Sequence, residues 1–130
     1  MAQGTAQVKI ITTAGKQAKQ QRLVGTAANA FTYIALGIGN TTDAAAADTT
    51  LGSEITTGGL ARVNVTPTVV NGVVTWSYTF TASASFTVSE VGIFNASSAG
   101  TMYLHSTLGT ANFVSVVSGN LVKVIVSDTE

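Results

Sequence analysis

The Asn-Gly pair at positions 71 and 72 constrains the fold of this chain more than any other feature. A two-residue type I′ turn needs positive φ at both central positions, and Asn-Gly supplies that most readily. Val69 and Val70 precede the pair; Val73 and Val74 follow it. Such a turn fixes the register of the strands it joins. Val70 then lies opposite Val73, Val69 opposite Val74, Pro67 opposite Trp76, Val65 opposite Tyr78 and Val63 opposite Phe80. From Val69 and Val74 outward, every second pair is apolar on both strands. The positions between are Thr68, Thr66 and Asn64 on one strand and Thr75, Ser77 and Thr79 on the other. Turn chemistry and binary pattern agree, which is how a sequence specifies one register. Burying Trp76, Tyr78 and Phe80 contributes roughly 1.5–3 kcal/mol per side chain. Pro67 has no N–H to donate, so its strand is expected at an edge or with a bulge.

Other stretches alternate in the same way: Val8–Thr12, Phe31–Ile38, Thr101–Leu108, Phe113–Val117 and Leu121–Ser127. Phe86–Phe94 changes phase midway, because Phe86 and Val88 take even positions while Val91 and Ile93 take odd ones. A bulge at Ser89-Glu90 would account for that slip. The one helical candidate is Ala14–Leu23, and residues 43–53 read as a loop or a single helical turn. The expected fold is all-β: an antiparallel β-sandwich, jelly-roll or Ig-like, of about seven or eight strands. Residues 1–22 read as an N-terminal arm able to carry a short helix, and residues 23–130 as a single sandwich domain. Asn71, Gly72 and Trp76 are its structural anchors.

Charge separates this chain from ordinary soluble domains. Only 9% of its residues are charged and the net charge is zero, against roughly 25% charged in a typical domain. A surface so poor in ions has little to repel close packing against another protein. Lys9, Lys16, Lys19 and Arg22 cluster near the start with no acid among them. Without interleaved aromatics they make a poor nucleic-acid signature; they read as a solvated arm, or as candidate residues for docking on an acidic protein surface. The longest apolar stretches fall far short of the ~20 residues that span a bilayer. Residues 1–15 lack the apolar core of a secretory signal. Cytoplasmic synthesis, with neither membrane nor nucleic acid as partner, is the expectation.

The catalytic inventory is thin. There is one histidine, His105, and no cysteine. A Ser-His-acid triad would need His105, which lies in a strand-like run with no nucleophile elbow around any serine. Six scattered acids and one histidine make no zinc or calcium motif. Gly37-Ile38-Gly39 lacks the later glycine of a phosphate loop, since Thr42 holds its place. The reading is a non-enzyme without metal or cofactor. Arg62 and Glu90 stand among apolar neighbours, in GLARVNV and VSEVGIF. Charges so placed are expected to be paired or to cap backbone groups, a structural role.

Three pieces in order carry a resemblance: FTYIALGIGNTTDAAAADTTLGSEI (Phe31–Ile55), GLARVNVT (Gly59–Thr66) and FTVSEVGIFNASSAGTMYLHSTL (Phe86–Leu108). With the opening VKIITTAGKQAKQQRLVG, the chain resembles a group of small structural proteins of tailed bacteriophages over roughly Val8 to Ser127. Such proteins are capsid decoration (cement) proteins or small tail and fibre components. The resemblance supplies no catalytic residue. It implies a β-rich virion protein that self-associates, as a homotrimer, and clamps on the major capsid protein at the head surface. A tail-fibre, collar or baseplate component is the alternative, and a cell-surface adhesin the further one. The commitment of Trp76, Tyr78 and Phe80 to the core counts against the adhesin.

Overall fold

The computed structural model describes residues 6–26, 29–39 and 43–129. Among them the order is β1 (Ala6–Ile11), α1 (Thr13–Leu23), β2 (Tyr33–Gly37), β3 (Val63–Asn64), β4 (Thr68–Val70) and β5 (Val73–Thr81). Then follow β6 (Phe86–Val88), β7 (Glu90–Phe94), β8 (Met102–Leu108), β9 (Val114–Val116) and β10 (Leu121–Asp128). A 3-10 turn at Thr110–Asn112 precedes β9. The strands form a five-stranded sheet in the order β1-β8-β7-β2-β3, a three-stranded sheet β10-β5-β4, and a ribbon β6-β9. All pairings are antiparallel.

The sheets close on one another as a sandwich, because each strand has one apolar face to hide. Ile34, Leu36, Ile93 and Leu104 of the larger sheet share a core with Trp76, Phe80, Val122, Val124 and Val126 of the smaller. Val88, Val114 and Val116 of the ribbon complete it. The Trp76 indole N–H, buried with the ring, donates to the carbonyl of Phe31 at 2.6 Å. On the far side of the larger sheet, Ala35, Leu51, Phe94 and Met102 form a second, smaller cluster.

The hairpin has the expected turn and register at its tip. Asn71 and Gly72 have φ of 49° and 80°, and Val70 pairs with Val73, Val69 with Val74 and Thr68 with Thr75. Beyond Thr68 the pairing departs from expectation. The chain leaves for the other sheet, where Val65 N–H bonds Thr32 and Val63 pairs with Ile34. Pro67 sits at that crossing, since its ring holds φ near −65° and not at the roughly −120° to −140° of a sheet strand. Pro67–Trp76, Val65–Tyr78 and Val63–Phe80 are therefore not pairs. Val126, Val124 and Val122 of β10 stand beside Trp76, Tyr78 and Phe80 instead. Tyr78, with no strand on its other side among the described residues, is 40% exposed and meets Phe80 edge-on at 4.8 Å.

The phase slip at Ser89-Glu90 is a change of sheet, not a bulge within one strand. β6 belongs to the ribbon and β7 to the larger sheet. Ser89 stands between, donating its N–H to Gly37 and accepting from Leu108. These two crossings divide two expected strands, which explains the larger strand count.

Residues 6–22 of the expected arm supply β1 and all of α1 but its last residue, Leu23. β1 pairs with β8 at the sheet edge. Thr12 caps the helix, its hydroxyl accepting from Gly15 N–H at 2.9 Å and donating to the Met102 carbonyl. The helix rests on β8 through Gly15 and Ala18. A Cβ at position 15 would lie 2.6 Å from the Tyr103 Cα, so only glycine allows that approach.

Candidate functional site

The densest polar chemistry lies on the outer face of the larger sheet, where the loop following β2 folds back across it. Glu90 on β7 and His105 on β8 both point to that face, beside the bare Gly37 and Gly92 of neighbouring register positions. Glu90 is 1% exposed. Its carboxylate accepts the backbone N–H groups of Gly39, Gly52 and Ser53 at 3.2, 3.0 and 3.0 Å. Gly39 has no room for a side chain, since a Cβ there would stand 2.1 Å from Ser53 N. His105 lies between two acids, with Nδ1 2.8 Å from Asp48 Oδ2 and Nε2 2.9 Å from Glu90 Oε1. Asp48 Oδ2 also accepts the Ala45 N–H, and the Thr107 hydroxyl accepts that of Ala44.

Burial pushes the Glu90 carboxyl up, but the hydrogen bonds from His105, Gly52 and Ser53 outweigh it and hold the group below its usual range. Burial likewise pushes the His105 imidazole down, and Glu90 and Asp48 outweigh it upward. Both shifts favour the charged forms of Glu90 and His105, and an acid oxygen faces each ring nitrogen. Both ring nitrogens are engaged, which leaves neither to deprotonate a serine.

Arg62 closes the loop's other end. Its Nε and Nη2 form a two-pronged pair with Glu54 at 3.0 and 2.7 Å. Nη1 donates to the carbonyls of Ala96 and Ala99 at 2.8 and 2.9 Å. The guanidinium stacks 3.8 Å above the centre of the Phe94 ring. Arg62 and Glu90 are thus paired, and both bind backbone groups. Sequence reasoning missed their partners, Glu54 for Arg62 and His105 for Glu90, and Asp48 on the far side of His105. The available signal was that Glu90 and His105 are both polar residues in apolar strand runs.

The four basic candidates do not form one site. Lys9 reaches across to β10, its Nζ donating to the Ser127 carbonyl at 2.7 Å. Lys16, Lys19 and Arg22 are exposed on α1, at three-residue steps along one flank. Exposed aliphatics follow at the end of that helix, Leu23 and Val24, and lie also at Ile38, at Val69 and Val70 on β4, at Leu121 and Ile125 on β10, and at Val117. The outward face of the smaller sheet is mostly hydroxyl, with Thr68, Thr75, Ser77 and Thr79 beside Lys123, Ile125 and Ser127. Among the described residues no group of acids and histidines could hold a metal ion, and no helix is long and apolar enough to cross a membrane.

This geometry describes a braced sandwich whose buried ions tie down its own loop. Its exposed charges are few: Lys9, Lys16, Lys19, Arg22, Asp43 and Lys123 among the described residues. No curated protein and no solved structure matches the chain. Residues 10–129 match the model of the family described as podophage GP4 fiber I protein gp80. That span takes in every element from the end of β1 to β10, and the chain belongs to this family of phage structural proteins.

Proposed function

We propose that this protein is a non-enzymatic building block of a phage tail fibre, acting by packing its surfaces against other virion proteins. The observation that carries the reading is the family match over residues 10–129, whose description names a fibre. It favours the fibre over capsid decoration on the major capsid protein. The surface chemistry supports it. Asp48, Glu54, Glu90 and Arg62 are held in internal pairs, so threonines, serines and scattered aliphatics dominate what remains outside. Such a surface can bury area without stripping water from many ions. Immunogold labelling of intact particles tests the proposal. Gold on the tail fibres is expected; label spread evenly over the head would overturn it.

A further inference from the structure

We infer that β10 is an interface for a second copy of this chain, pairing edge to edge with its own β10 about a two-fold axis at Val124. This deepens the structural reading above by naming the partner of one surface.

Every second residue of an antiparallel strand points both backbone groups at its neighbour. At the Gly119-Asn120 turn, Ala82 donates to Asn120 O and accepts from Gly119 N–H. With the β5–β10 register, this directs Val122, Val124 and Val126 at β5. Leu121, Lys123, Ile125 and Ser127 point their backbone groups outward, as the Ser127 carbonyl taken by Lys9 shows. An unpaired strand edge is a template for another strand, and proteins blunt edges with short strands, bulges and charge. Here β3, β4, β6 and β9 have two or three residues each. β1 is broken between Ala6 and Val8. β10 runs eight residues with an unbroken register and neither glycine nor proline.

The occupant follows from the side chains. With the axis at Val124, all four outward residues pair: Leu121 with Ser127 and Lys123 with Ile125 of the other copy. On the inner face, Val124 meets Val124 and Val122 meets Val126, β-branched pairs that suit cross-strand packing. An axis one residue earlier would set Lys123 against Lys123, which like charge disfavours. Lys9 takes one lone pair of the Ser127 carbonyl, and a carbonyl oxygen has two.

Sedimentation velocity of the full chain over a concentration series tests this. A dimer is expected. Ile125 is 60% exposed, so Ile125→Lys spares the core while placing two like-charge pairs across the axis. It should weaken the dimer about ten-fold. Adding Lys123→Glu turns those pairs into attractions and should restore it. A monomer at every concentration, a trimer, or a dimer indifferent to both changes would overturn the inference. Hydrogen exchange on the unaltered chain reads the same contact: the Lys123 and Ile125 amides should slow as the dimer forms, and unchanged exchange would overturn it. Failure here leaves the fibre reading standing, and absence from the fibre leaves this dimer standing.

Discussion

Arg62 holds three segments at once: Glu54 in the loop, Phe94 on β7, and the Ala96 and Ala99 carbonyls of the following turn. Removing it leaves Glu54 and two carbonyls without their donor. Arg62→Ala should cost about 3 kcal/mol in urea unfolding. Arg62→Lys should recover only part, because an ammonium cannot reproduce the two-pronged geometry. His105 and Glu90 set a pH dependence of opposite signs. The His105 pKa is raised in the fold, so its contribution is complete below its ordinary value of 6.5 and fades as pH rises toward the folded value. The Glu90 pKa is lowered, so its contribution is complete above its ordinary 4.5 and fades as pH falls. Melting temperature should therefore peak between these values, and His105→Gln should flatten the alkaline limb. A profile unchanged by that substitution would contradict the assignment.

Among the elements, the hairpin tip tests turn chemistry in isolation. Gly72 sits at φ 80° with open space around it, so Gly72→Ala introduces backbone strain and no clash. A loss of about 1 kcal/mol is expected from thermal unfolding. The N-terminal segment behaves differently. Since β1 and α1 pack on β8, deleting residues 1–22 should lower the melting temperature sharply, whatever it does to partner binding. Most strands were legible because a period of two survives in a short run of residues. The two crossings were not. Pro67 and Ser89 carry no sign of which sheet comes next, since the same alternation suits either. The loop clamp was half legible. An arginine and a glutamate among apolar residues demand partners, but Asp48 and Glu54 lie in a loop without periodicity, and only the fold brings them back.

Across the whole molecule, the ions at the loop clamp face inward, and the few exposed ones are spread among hydroxyls and scattered aliphatics. That division suits a part built into a larger assembly, where contacts repeat and each is modest. It leaves the place of the protein in the particle to be read from the particle itself. Quantitative mass spectrometry of purified virions, with heads and tails separated, measures that most directly. The fibre reading expects the protein in the tail fraction, at a small number of copies set by the fibres. Copies comparable to the coat protein in the head fraction would contradict it.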